Sequence, residues 1–156
     1  MKAKTEVLDV LSMMLEEELL ALNQYMLHAE MQENWGYLRL SKEIRQLSIA
    51  EMKHAEALME RILFLEGIPN LSDFPKLNIG KDVQQQLQND LALERSAVGD
   101  YNKAIAALRK AGDHGSAELL KKLLLDEEAH EDFLDTQLGI IKDSGLEKYL
   151  VEQTKG

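Results

Sequence analysis

Apolar positions recur along this chain in alternating steps of three and four over four long stretches, the period of helices that each bury one stripe. The first stripe reads Leu8, Leu11, Leu15, Glu18, Leu22, Tyr25, Ala29, and the second Ile44, Leu47, Glu51, His54, Leu58, Ile62, Leu65. The third reads Leu87, Leu91, Glu94, Val98, Tyr101, Ile105, Leu108, and the fourth Leu120, Leu123, Glu127, His130, Leu134, Leu138, Ile141. Gly and Pro fall between the stripes, at Asn34-Trp35-Gly36, at Gly67 to Gly80 with both prolines (Pro69 and Pro75), at Gly112-Asp113-His114-Gly115 and at Ser144-Gly145. The pattern predicts helices over 5–34, 38–66, 82–111 and 115–143, with a short fifth near 146–152. Alternating runs of β-branched and aromatic residues are missing, so no strand is expected. The fold class is all-α, and steps of three and four are those of a four-helix bundle.

The linkers set the topology. Segment 67–81 has 15 residues and reaches ~50 Å when extended, against ~45 Å for a 30-residue helix. It can therefore run the whole bundle length and leave the second and third helices parallel. The other two turns are short and imply antiparallel hairpins.

The stripes contain an anomaly. Glu18, Glu51, His54, Glu94, Glu127 and His130 stand where apolar residues belong, each near the middle of its helix. A shift of 76 positions carries Glu18, Glu51 and His54 onto Glu94, Glu127 and His130. It also carries Leu11 onto Leu87, Leu22 onto Val98, Tyr25 onto Tyr101 and Leu58 onto Leu134. The chain thus reads as two similar hairpins, each giving one Glu and one Glu-x-x-His. Four carboxylates buried together need protons, basic partners or cations, and the stripes carry no Lys or Arg at that level. Four carboxylates and two imidazoles suit two divalent metals, since Glu and His three apart share a helix face. This is the pattern of ferritin-like di-iron and di-manganese carboxylate proteins. The ligand types alone also fit manganese or zinc.

Composition narrows the rest. Twenty-eight acidic residues against 18 basic give a formal charge of −10, which disfavours nucleic acid and anionic membranes and favours cations. The chain has no cysteine, so disulfides, thiolate metal sites and cysteine nucleophiles are excluded. Its 156 residues suffice for one domain spanning 1–156. No apolar run is long enough to span a bilayer. Glu6, Asp9 and Glu16–Glu18 leave no room for a signal peptide near the N-terminus, so the expected location is cytoplasmic.

Beyond the six candidate ligands, Asn23-Gln24-Tyr25, Asn34-Trp35-Gly36, Glu51-Met52-Lys53-His54-Ala55, Arg61 to Gly67, Leu77-Asn78-Ile79-Gly80 and Asp126-Glu127-Glu128-Ala129-His130 resemble the bacterioferritins over essentially the whole chain. The resemblance implies a ferritin-like bundle with one long crossover and a hollow shell of 24 subunits built from dimers. It implies oxidation of Fe(II) by dioxygen or peroxide, storage of ferric mineral, and a ferredoxin-type donor of electrons for iron release. It also implies haem b between paired subunits, with Met52 matching the axial ligand contributed by each. Spacing alone places Met52 about 100° away from Glu51, on the bundle's outer side. Two irons would sit about 3.5–4 Å apart, bridged by Glu51 and Glu127, with Glu18 and His54 completing one and Glu94 and His130 the other. Some bacterioferritins carry a further inner-surface iron site of His and Asp. Gln46 and Ala50 stand at those positions here, so iron is instead expected to pass inward through the di-iron site, by movement of His130.

Other residues have plainer readings. Tyr25 and Tyr101, two turns beyond Glu18 and Glu94, either hydrogen-bond a ligand carboxylate or simply pack in the core. His28 lies off the stripe and reads as a surface or interface histidine. His114 reads as a turn residue, Trp35 as packing at the first hairpin, and Glu16 and Glu17 as solvated. The alternatives are a non-haem ferritin, a rubrerythrin-like di-iron peroxidase without a shell, and a structural bundle without metal.

Overall fold

The computed structural model describes residues 1–73 and 76–156, so Pro75 lies outside the described residues. Among the described residues five helices follow one another: α1 Thr5–Asn34, α2 Leu38–Phe64, α3 Val83–Lys110, α4 His114–Ser144 and α5 Leu146–Gln153. The long helices are rich in Leu, Ala, Glu, Lys, Gln and Met, which lose little side-chain freedom in a helix. Among the described residues there is no strand, and no helix is long and apolar enough to cross a membrane.

Helix ends follow local chemistry. Asp82 and Asp113 precede α3 and α4, and their carboxylates accept from the N–H groups of Gln85 and Ser116, satisfying donors that the first turn leaves free. Three helices close with the same paired bonds. Gly36 and Tyr37 donate back to Glu33 and Gln32, Glu66 and Gly67 to Leu63 and Ile62, and Gly112 and Asp113 to Arg109 and Leu108. This closure puts its penultimate residue in the left-handed region, which favours glycine. Gly36 and Gly112 supply it for α1 and α3, whereas α2 uses Glu66 at φ +64°. The expected helix 38–66 overran for that reason: the chain turns one residue before its glycine. His114 is the first residue of α4 and not part of a turn, because the Asp113 cap recruits it and Gly115 into the first helical turn.

Cross-helix bonds fix the directions. Moving up α1 through Tyr25, His28 and Gln32, the partners on α3 run down through Glu94, Asp90 and Gln86. From Arg61 through His54 on α2, the partners run up α4 from Ser116 to Glu127. Helix α1 is therefore antiparallel to α3, and α2 to α4. Since α1 and α2 form a hairpin, α2 and α3 are parallel and residues 67–81 form the long crossover. Its far end is fastened to the bundle. Asn78 and Gly80 donate to Gln24 Oε1 and His28 Nε2, both at 3.0 Å, and Gln86 Nε2 donates to Gly80 O.

The core is in two parts. One gathers Leu11, Leu15, Leu58, Ile62, Leu108 and Leu120. The other gathers Tyr25, Ala29, Ile44, Leu87, Leu134 and Ile141. The layer between them holds the ionisable residues of the stripes. Trp35 ends α1 at the first hairpin and, with Tyr37, Val83, Leu146 and Leu150, lines a cavity of about 330 Å³.

Candidate metal centre

All six stripe residues are buried: Glu18 on α1, Glu51 and His54 on α2, Glu94 on α3, Glu127 and His130 on α4. They form two overlapping groups, Glu18–Glu51–His54–Glu127 and Glu51–Glu94–Glu127–His130, and within each group one ligand atom per residue lies within 4.8 Å of the others. Glu51 and Glu127 belong to both. His54 Nδ1 is 2.9 Å from Glu127 Oε1 and 3.4 Å from Glu18 Oε2. His130 Nδ1 is 2.8 Å from Glu51 Oε1 and 3.5 Å from Glu94 Oε1. The two rings lie face to face, 6.2 Å between centroids and 15° apart in plane.

The two tyrosines close the layer. Tyr25 donates to Glu94 and Tyr101 to Glu18, both phenols fully buried. These bonds cross between helices. Because α1 and α3 run in opposite directions, the residue two turns beyond Glu18 comes level with Glu94. Burial, reinforced by Glu94 for Tyr25 and by Glu18 for Tyr101, holds both phenols well above their ordinary pKa and so keeps them as donors.

Burial also dominates the carboxyls. It pushes Glu18 up, against the opposing influence of Glu51 and His54 beside it. It holds Glu51 well above the carboxylate range, helped by Glu18, and Glu94 likewise, helped by Glu127. Burial opposes the charge on Glu127 too, but the polar groups of Glu94, His130, His54 and Glu51 around it hold it below that range. Burial disfavours charged imidazoles, yet their carboxylate neighbours carry His54 up to about 11 and His130 up to about 9. Without metal, then, the cluster meets its burial by keeping protons.

Protons do not satisfy it fully. Glu18 Oε2, Glu51 Oε1, Glu94 Oε2, Glu127 Oε2 and His130 Nδ1 are buried with no hydrogen-bond partner, a costly condition unless something else engages them. His130 Nδ1 and Glu51 Oε1 are 2.8 Å apart but are not aligned as donor and acceptor. Two ligands of one cation approach each other in this way. The donor set of imidazole nitrogens and carboxylate oxygens suits iron.

Residues 8–144 match the model of the ferritin-like domain. The chain is 42% identical to a bacterioferritin of Mycobacterium leprae and 44% to one of Brucella melitensis, each over 96% of this chain and 94% and 92% of the relative. It is 39% identical to a bacterioferritin of Streptomyces coelicolor over 99% of this chain and 95% of the relative. The chain belongs to the bacterioferritin family. Within that family frame, Met52 is 45% exposed on α2, a thioether left uncovered by its own subunit. Gln46 is exposed and Ala50 half-buried on the same helix.

Two residues around the site depart from the sequence reading, and a third escaped it. His28 is fully buried, not superficial. Its Nε2 accepts from Gly80 N–H while Nδ1 meets both Asp90 oxygens, at 2.9 and 3.1 Å. The crossover covers the helix face that periodicity assigned to solvent. Glu17 is half-buried, and burial with Asp100 beside it pushes its carboxyl up to about 9. Asp126 was not singled out, yet its Oδ2 is 2.8 Å from His54 Nε2. The half-repeat held the signal, because the position 76 before Asp126 is Ala50.

Proposed function

We propose that this chain is the subunit of an iron store that oxidises Fe(II) at the buried Glu/His layer. The ferric product collects inside a shell of 24 copies. The observation that carries the reading is the pair of ligand groups sharing Glu51 and Glu127, the arrangement that two adjacent divalent ions require. Glu18 with His54 completes one iron position, Glu94 with His130 the other, and Glu51 and Glu127 bridge them. Tyr101 and Tyr25 hold the two terminal carboxylates in place through their hydroxyls. Each Fe(II) gives up one electron. Dioxygen with two protons then leaves as peroxide, or peroxide with two protons as water. The subunit's charge of −10 raises the local Fe(II) concentration, and iron passes inward through the site by movement of His130.

Haem b is the second cofactor of the reading. Met52 is 45% exposed on α2, so this residue and its copy in a second subunit related by a dimer axis would hold the haem between them. Held there, haem would supply one-electron redox chemistry for reducing stored iron, with a ferredoxin-type protein as donor and the cytoplasm as location.

The test is stopped-flow oxidation of Fe(II) by the metal-stripped protein. Glu18→Ala and Glu94→Ala should each slow the rapid phase by more than ~100-fold, beyond the usual effect of losing an outer partner. Wild-type rates in both variants would remove the oxidation reading. Size-exclusion chromatography tests the shell: a species at 17.7 kDa or its dimer would contradict it.

A further inference from the structure

The two halves of the metal centre match in their six inner residues and differ in what stands behind the histidines. His54 turns Nδ1 toward Glu18, Glu51 and Glu127. Its other nitrogen, Nε2, lies 2.8 Å from Oδ2 of Asp126, whose side chain is 62% exposed on α4. On His130 every carboxylate within reach (Glu51, Glu94 and Glu127) approaches Nδ1. The residue that the half-repeat places behind His130 is Ala50, a methyl group that accepts nothing. The two side chains also differ in exposure, 5% for His54 and 11% for His130.

An imidazole that binds a metal through one nitrogen carries its proton on the other. A carboxylate accepting that proton fixes the tautomer and ring orientation and makes the ligating nitrogen more basic; losing it typically weakens metal binding about 10–100-fold. Among the described residues, one of the two positions has such an acceptor and the other does not. We infer that Asp126 is a positioning residue that makes the Glu18–His54 position hold a divalent ion more tightly than the Glu94–His130 position, so that the pair fills in a fixed order. The inference rests on the reading of the six residues as a two-metal site.

The experiment is a titration of the metal-stripped native assembly with Co(II), followed by the visible absorption of the bound ion. Two steps are expected in the wild type. Repulsion between neighbouring cations also separates the steps of two identical positions, so the variants decide. Asp126→Ala should weaken the first step about 10–100-fold and leave the second in place. Asp126→Asn, which keeps an acceptor without the charge, should restore part of the loss. Ala50→Asp should tighten the second step alone. An Asp126→Ala protein with both steps unchanged and a wild-type circular dichroism spectrum overturns the inference while leaving the two-metal reading intact. Failure of the wild type to bind Co(II) overturns both.

Discussion

Removing one hydroxyl group isolates the central electrostatic feature of this bundle. Tyr25 is fully buried and its only polar atom donates to Glu94, whose other oxygen already lacks a partner. Tyr25→Phe leaves both Glu94 oxygens without that donor inside the core. A buried polar group left unsatisfied costs about 1–3 kcal/mol, and for a chain of this size each kcal/mol moves Tm by about 2–4 °C. Metal-free Tyr25→Phe should therefore melt about 2–12 °C below wild type at the same protein concentration, followed by far-ultraviolet circular dichroism. Glu94→Leu removes the acceptor instead and leaves the phenol orphaned. Combining the two substitutions removes both partners, so the double variant should recover most of the loss, with a coupling of about 0.5–3 kcal/mol. Strictly additive effects would show that hydroxyl and carboxylate do not depend on each other, and would refute the role given to the Tyr25 hydroxyl in holding Glu94.

Further expectations concern protons, the crossover and the haem. Metal-free His54 and His130 hold their protons up to about 11 and about 9 against ordinary values of 6.5. Their stabilising contribution is complete below about 6.5 and is lost as pH climbs through those values; the raised carboxyls of Glu18, Glu51 and Glu94 act in the same direction. Metal-free protein should thus lose thermal stability between pH 6.5 and pH 11, and Co(II) binding at pH 7 should release more than one proton per ion to an indicator in weak buffer; no release would contradict the assignment. Gly80→Ala would set a Cβ 2.4 Å from the backbone nitrogen of Gln86, and overpacking of that kind costs about 1–3 kcal/mol, read as a lower denaturant midpoint. Met52→Leu should abolish the absorption of bound haem while leaving Fe(II) oxidation intact; a retained haem spectrum would exclude Met52 as its ligand.

The stripes, the crossover and the six inner residues were legible because each rests on period, chain reach or an apolar rule visibly broken. Glu18 stands out because Met14, Leu15, Ala21 and Leu22 around it are apolar, and Glu94 because Leu91, Ala97 and Val98 are. His28 was misread for the converse reason. Helical period sees a helix's own faces, and nothing in it says that an aperiodic segment returns to cover one of them. Gln24 and Gln86 share that origin, since both are buried and bond to the returning chain at Asn78 and Gly80. The tyrosines were recognised as candidates, but their partners depended on helix direction, which places each beside the opposite half's carboxylate. Asp126 was hidden by exposure, because one acidic residue on a solvated face resembles any other until the half-repeat sets it against Ala50.

Crystals of the assembly soaked anaerobically in Fe(II) and measured at the iron absorption edge test the central claim most directly. The expected result is two anomalous peaks about 3.5–4 Å apart, both touching Glu51 and Glu127, one beside Glu18 and His54 Nδ1 and the other beside Glu94 and His130 Nδ1. Saturated crystals with iron only on outer carboxylates, and no peak among these six side chains, would contradict it.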